Sequence, residues 1–155
     1  GAYCLALIGL FNIAGSFLSG MAGSRWSKTY GLSWIYLGRA LVILGLLVAP
    51  KTALTLYVFS ALMGLLWLST IPLTTGVITD VFGVRYVATL YGFVFFGHQV
   101  GSFIGVYLGG VFYERYGSYD GMWWAGIVVG VLAALIHLPI SEKPLPRVVA
   151  ASAIA

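Results

Sequence analysis

Long apolar stretches separated by short polar breaks run along almost the whole chain. The stretches cover residues 3–23, 32–48, 53–79, 86–113 and 122–137. A helix needs about 20 apolar residues to cross a bilayer, at about 1.5 Å per residue. Lipid offers no hydrogen-bond partners to open backbone groups, so such stretches must be helical. The pattern predicts an all-α integral membrane protein with five transmembrane helices in residues 1–140 and a tail at 141–155.

Composition supports this class, because 61% of the residues are hydrophobic and only 8% are charged. Soluble domains carry about 25% charged residues. The net charge of +4 is small, and the basic residues are scattered along the chain, so no nucleic acid is expected as a partner. Cys4 is the only cysteine, so no internal disulfide or cysteine-based metal site is possible. The chain starts inside an apolar run without a preceding basic segment, which predicts a fragment of a longer protein rather than a signal peptide.

Basic residues in the loops predict the orientation. The loops after the first and third spans and the tail lie on one side, and that side holds Arg25, Lys28, Arg85, Lys143 and Arg147. The opposite side holds only Lys51 and Arg115. Cytoplasmic loops are enriched in Lys and Arg. The richer side is therefore predicted to be cytoplasmic, so the first span runs inward and the C-terminus is cytoplasmic.

A shift of ninety positions aligns the first two spans with the last two. Residues 15–20 then fall on 105–110, Arg25 on Arg115 and Trp34 on Trp124. The matched spans cross in opposite directions, as in the inverted repeats of secondary transporters. The repeat predicts that the third span is the first helix of a second group of three helices. One further span is then expected before Gly1, giving six in the complete half.

Several motifs resemble one transporter family. The loop at 20–25, GMAGSR, followed by Lys28, resembles the Gly-x-x-x-Asp-Arg signature of the major facilitator superfamily, with Ser24 in the acidic position. Residues 72–86 (PLTTGVITDVFGVRY), 98–103 (HQVGSF) and 117–120 (GSYD) resemble bacterial members related to the monocarboxylate transporters. The resemblance extends to about Ile140.

This resemblance implies the last five helices of a twelve-helix transporter in a bacterial inner membrane. The implied partners are the lipid bilayer, a small solute, a coupled proton and the missing N-terminal half, with no cofactor. Loop signatures of this kind hold the cytoplasmic gate, which makes Arg25, Asp80 and Arg85 gate candidates. The sequence departs from the family at Asn12 and Ser16, which occupy the positions of an intramembrane Asp–Arg pair in carboxylate-carrying relatives. The simple monocarboxylate and proton mechanism of those relatives is therefore not carried over.

An ionisable residue inside a membrane span is a functional candidate by default. His98 lies halfway along the fourth span, near the depth at which transporters bind substrate. Helical spacing places Tyr91, Phe95 and Ser102 on its face, which predicts an aromatic and polar cavity wall. The alternative is that His98 bonds a neighbouring helix and only fixes packing.

Arg39 lies about 12 Å into the second span, and its Cβ tilts toward the cytoplasmic end, so we expect the side chain to snorkel outward. A structural or gate role is favoured over direct contact with an anion. Asn12 is predicted to bond between helices, with a cavity contact as the alternative. Pro72 is predicted to kink the third span. A stripe of small residues, predicted to admit a closely packed helix, consists of Gly97, Gly101, Gly105 and Gly109.

All four carboxylates lie at span ends or in the tail: Asp80, Glu114, Asp120 and Glu142. The spans hold no acid pair, metal cluster or nucleophile–base arrangement, which argues against a membrane enzyme. The family resemblance, together with His98 and Arg39 in the spans, implies an alternating-access transporter for a small organic anion, such as a mono- or dicarboxylate. The alternative is a non-transporting receptor or scaffold of the same fold, which would have a sealed and wholly apolar core.

Overall fold

The computed structural model describes residues 1–145, and those residues form helices without any strand. Residues 146–155, including Arg147 and most of the predicted tail, lie outside the described part. The elements are α1 Ala2–Gly23, α2 Lys28–Val48, α3 Ala53–Trp67, α4 Thr70–Phe82, a 3₁₀ turn Val84–Tyr86, α5 Val87–Tyr116 and α6 Asp120–His137. Five stretches of the described chain are long and apolar enough to cross a membrane, since α3 and α4 together make the third. The predicted fold class is confirmed.

Several helix boundaries differ from the prediction by two to four residues, and two of these differences have clear local reasons. α2 begins at Lys28, four residues before the predicted start, because the Ser27 hydroxyl accepts a hydrogen bond from the Tyr30 amide and caps the helix. α5 continues through Glu114 to Tyr116, because polar residues do not by themselves end a helix. It ends at Gly117, whose φ of +68° belongs to the left-handed region that favours glycine.

α2 is the central helix of the packed part. It contacts α6 along its length and packs on α3 and α4 from its other side, while α1 packs mainly on α3. The Ser33 hydroxyl donates to the Ala134 carbonyl at 2.7 Å, which ties α2 to α6. Leu32, Ile35 and Leu73 form the buried apolar cluster between α2 and α4.

α5 stands apart from this packing. None of its residues is buried, and its contacts are mainly with α4, the 3₁₀ turn and α6. An added Cβ would meet nothing within 4 Å at any position of the glycine stripe Gly97, Gly101, Gly105 and Gly109. No described helix therefore packs on the stripe, and its packing role stays a prediction about helices beyond residues 1–145.

Candidate functional site

The third membrane-crossing stretch is broken near its middle. α3 ends at Trp67 and α4 begins at Thr70, so the break lies about 22 Å along the axis from Ala53. Pro72 explains the position, because it lacks an N–H and its ring clashes with the carbonyl four residues earlier, that of Leu68. The predicted kink is present, and it is a complete interruption one turn before the proline.

Arg39 satisfies the backbone carbonyls at the end of α3. In a continuous helix, the Leu66 and Trp67 carbonyls would accept from the amides four residues later. Here the Arg39 guanidinium reaches from α2 and donates to the Leu66 oxygen from Nε at 3.1 Å and from Nη2 at 2.6 Å. Nη2 also donates to the Trp67 oxygen. A cation at the C-terminal end of a helix is favourable because that end carries partial negative charge.

Asn12 also contacts this break, from a different helix. Its Oδ1, on α1, accepts a hydrogen bond from the Leu68 amide at 3.1 Å. The Leu68 carbonyl accepts from the Ile71 amide at 3.0 Å, and the Ser69 hydroxyl donates to the Leu65 carbonyl. The break is thus closed by side chains from α1 and α2 together with its own residues.

Two glycines bring α1 close enough for the Asn12 contact. An added Cβ at Gly15 would lie 1.9 Å from the Leu65 oxygen, and one at Gly64 would lie 2.6 Å from the Ile8 oxygen. At both glycines the backbone therefore contacts the neighbouring helix directly, in the space that a side chain would occupy. This close approach lets the short Asn12 side chain reach the Leu68 amide.

The expectation that Arg39 snorkels to the cytoplasmic surface is wrong. Its guanidinium is half-buried and turns toward α3 because unpaired carbonyls at the break are available acceptors at mid-depth. It also lies 5.2 Å from the centre of the Tyr36 ring, within reach of a cation–π interaction. The hydrogen bonds of Arg39 to the break thus engage its Nε and Nη2 donors.

The predicted cavity face is continuous along α5. The Phe95 and His98 rings stack with centroids 6.2 Å apart, and Tyr91 and Ser102 lie one turn to either side. His98, Phe95 and Ser102 are exposed, and Tyr91 is half-buried. Asn12 is not part of this face, because its helix packs on α3 and α4 and its amide binds at the break.

An ion pair joins α2 to α4 at the predicted cytoplasmic end. Lys28 Nζ lies 2.7 Å from Asp80 Oδ2. A Cβ at Gly76 would lie 2.6 Å from the Lys28 Cδ, so glycine makes room for the lysine stem over α4. Asp80 pairs with Lys28 and not with Arg85, and it does not cap the next helix. The Arg85 guanidinium instead lies over the Tyr86 ring at 5.7 Å, and Arg25 is exposed in the loop after α1.

Glu142 binds the N-terminal end of α2. Its Oε1 accepts from the Ser27 hydroxyl at 2.5 Å, the Thr29 hydroxyl at 2.7 Å and the Thr29 amide at 2.8 Å. Partial burial opposes ionisation, but the hydrogen bonds from Ser27 and Thr29 outweigh it and lower the pKa of Glu142 to about 2. The Leu145 amide donates to the Val81 carbonyl at 3.0 Å, so the start of the tail crosses from α2 to α4.

Sequence reasoning missed two contacts in which polar side chains join segments that are far apart in the chain: that of Glu142 with the start of α2, and that of Arg39 with the end of α3. Glu142 and Thr29 are 113 positions apart, and Arg39 and Leu66 are 27 apart, so no local pattern joins them. One signal was available for the break: a proline inside a span frees carbonyls, and a buried arginine needs acceptors. Within residues 1–145, no group of three His, Cys, Asp or Glu side chains is placed to hold a metal.

Comparison with known proteins gives a family-level match. The model of the Major Facilitator Superfamily matches residues 2–154. Among curated proteins, the chain is similar to the uncharacterised MFS-type transporter YcxA of Bacillus subtilis (strain 168), with 31% identity over 145 residues. The match covers 90% of this chain, which spans only 36% of the length of that relative. No solved structure matches the chain significantly.

Proposed function

The chain belongs to the Major Facilitator Superfamily, and from that premise we propose that it forms the C-terminal half, less one helix, of an alternating-access secondary transporter. Family membership supports a transporter for a small solute rather than an enzyme. The complete protein then has twelve helices in two halves, in a bacterial inner membrane with the C-terminus in the cytoplasm. The length of the curated relative leaves room for a first half.

The α5 face is the observation that carries the proposal. The face defined by Tyr91, Phe95, His98 and Ser102 is aromatic and polar at mid-depth, and no described helix covers it. Polar side chains inside a membrane bundle face the bundle interior or a water-filled cavity, because lipid does not solvate them. We place the solute pathway between this face and the first half of the protein.

The proposed solute is a small organic anion, such as a mono- or dicarboxylate. Within the described spans no carboxylate lies at mid-depth, so an anion entering at the α5 face meets no negative charge that would repel it. His98 is the histidine on this face, and histidine is the residue type that most readily exchanges a proton near neutral pH. Protonated His98 attracts an anion, so proton and solute favour each other's binding.

Uptake into proteoliposomes containing the full-length protein tests this proposal. We expect saturable uptake of a radiolabelled mono- or dicarboxylate that increases when the outside is made more acidic. His98→Gln should retain part of the uptake but lose its pH dependence near neutral pH, because a glutamine side chain cannot take up the proton. Gln99→Ala, on another face of α5, is the matched control and should keep the pH profile.

Two results would separate the parts of the proposal. An unchanged pH profile in His98→Gln would remove His98 from coupling and leave it as a packing or substrate-orienting residue. Uptake of neutral or cationic solutes only would contradict the organic anion as substrate.

A further inference from the structure

A cleft of about 300 Å³ opens between the end of α1 and the start of α2, at the predicted cytoplasmic end. Two glycines shape its floor. A Cβ at Gly23 would lie 2.6 Å from Leu73 Cδ2, and one at Gly31 would lie 3.0 Å from Leu73 Cδ1. The missing side chains therefore let Leu73 of α4 reach between α1 and α2, where it gives the cleft an apolar floor.

Three aromatic side chains form the walls of this cleft. Trp26 comes from the loop after α1, and Tyr30 and Trp34 come from α2, one turn apart on the same face. They are 76%, 56% and 71% exposed. Trp and Tyr collect at the headgroup level of a bilayer, but Trp34 lies about 9 Å beyond the start of α2. The cleft thus extends from the headgroup level to the level of the acyl chains.

The charges at this end leave Arg25 without an acidic partner among residues 1–145. Asp80 is paired with Lys28 at 2.7 Å, and Glu142 is held by hydrogen bonds at the start of α2. Arg25 is exposed and directly precedes Trp26 in the wall of the cleft. In the described chain the basic side chains at this end outnumber these two acids, since they are Arg25, Lys28, Arg85 and Lys143. An anion from outside the chain can therefore balance Arg25.

We propose that the cleft binds one acyl chain of an anionic phospholipid of the cytoplasmic leaflet, with the lipid phosphate on Arg25. Small-molecule sites have volumes of about 300–1,000 Å³, so this cleft accommodates one chain and not a whole phospholipid. A guanidinium donates two parallel hydrogen bonds to a phosphate. Basic pockets between transmembrane helices on the cytoplasmic side bind anionic headgroups in this way.

A second cleft of the described chain shows why the charge matters. It lies between α1 and α3 at the opposite end of the helices, and its lining side chains are uncharged: Tyr3, Ala6, Leu7, Leu10 and Tyr57. Nothing in that lining distinguishes one headgroup from another. The site at Arg25 is independent of the transported solute, and its test measures bound lipid and not uptake.

Native mass spectrometry of the full-length protein, released from nanodiscs of equimolar phosphatidylcholine and phosphatidylglycerol, counts the retained lipids. We expect the wild type to retain phosphatidylglycerol in preference to phosphatidylcholine. Arg25→Gln should lower that preference about fivefold, as for one basic residue at an anionic surface. Trp34→Ala should reduce the retention of both lipids, because it removes a wall of the acyl-chain site.

Two variants are matched controls and should retain lipid as the wild type does. Arg115→Gln removes the same charge at the opposite end of the helices, and Tyr57→Ala removes an aromatic ring from the other cleft. An unchanged preference for phosphatidylglycerol in Arg25→Gln would overturn the phosphate contact. Unchanged retention in Trp34→Ala would overturn the acyl-chain site.

Photo-crosslinking decides the matter on the wild type if a variant does not fold. Phosphatidylglycerol with a photoactivatable group in one acyl chain is mixed into phosphatidylcholine vesicles that contain the full-length protein, and the adducts are mapped by mass spectrometry. We expect them to concentrate in residues 22–34, and excess glycerol phosphate, which has no acyl chain, should not reduce them. Adducts spread evenly over the exposed apolar residues would show bulk lipid only and overturn the site, and so would displacement by glycerol phosphate.

Discussion

Replacing Gly15 by alanine tests how tightly α1 must approach the broken span. The added Cβ would lie 1.9 Å from the Leu65 oxygen, 2.7 Å from the Leu65 carbonyl carbon and 2.7 Å from the Ser69 hydroxyl oxygen. These are main-chain and short side-chain atoms that do not rotate away. Because favourable contacts lie at about 3.5 Å, α1 would have to retreat by about 1.5 Å.

Such a retreat has two costs. Overpacking in a closely fitted contact costs about 1–3 kcal/mol. The Asn12–Leu68 hydrogen bond, now 3.1 Å, would stretch beyond hydrogen-bond length, and its loss adds about 1 kcal/mol. We therefore expect Gly15→Ala to destabilise the protein by about 2–4 kcal/mol.

Thermal unfolding of the full-length protein in detergent, followed by size-exclusion chromatography, measures this effect. Gly9→Ala is the matched control on the same helix, because nothing lies within 4 Å of a Cβ there. We expect Gly15→Ala to melt several degrees below both the wild type and Gly9→Ala. Equal melting of the two variants would show that α1 does not pack on the break as described.

Three further predictions concern the tail, the ion pair and the glycine stripe. The pKa of Glu142 is lowered from 4.5 to about 2, so its contribution to stability is complete above 4.5 and is lost as the pH falls through about 2. A nitroxide at Ser141 should therefore stay immobile above pH 4.5 and become mobile as the pH falls towards about 2, whereas Glu142→Ala should be mobile throughout; Lys143→Ala is the control. Asp80→Asn or Lys28→Gln should lower the free energy of unfolding by about 1 kcal/mol at most, and the exchanged pair Lys28→Asp with Asp80→Lys should regain part of it; a loss well above that would show that the pair is more than a surface contact. Gly101→Leu and Gly105→Leu should impair folding or uptake, and Gly110→Leu, off the stripe, should not; normal expression and uptake in both stripe variants would remove the stripe from any helix interface.

The five membrane-crossing stretches were predictable because the requirement that creates them is local in sequence. Each must supply an unbroken apolar surface over the thickness of the bilayer, which the composition of about 20 neighbouring residues already reveals. Pro72 likewise predicted a bend because its effect acts within one turn. The start of α2 was predicted four residues too late, because its cap residue, Ser27, lies in the polar loop and not in the apolar stretch.

The polar contacts were not predictable to the same degree. Asp80 pairs with Lys28, 52 positions away, although Arg85 is nearer in the sequence, because helix packing brings α2 and α4 together. Arg39 has carbonyl acceptors that no side-chain motif reveals. The inverted repeat, which relates α1 and α2 to α5 and α6, stays a prediction, and a superposition through an axis in the membrane plane tests it.

Alternating access would open the α5 face to each side of the membrane in turn, and cysteine accessibility measures that opening. Phe95→Cys and Ser102→Cys would be introduced one at a time into a cysteine-free full-length protein, with Cys4 replaced by serine. A membrane-impermeant maleimide is then applied to right-side-out and to inside-out vesicles. We expect labelling of both positions from either side, because a transporter opens the same mid-depth face alternately to each compartment. Labelling from one side only, or from neither, would contradict alternating access and indicate the sealed core of a receptor or scaffold.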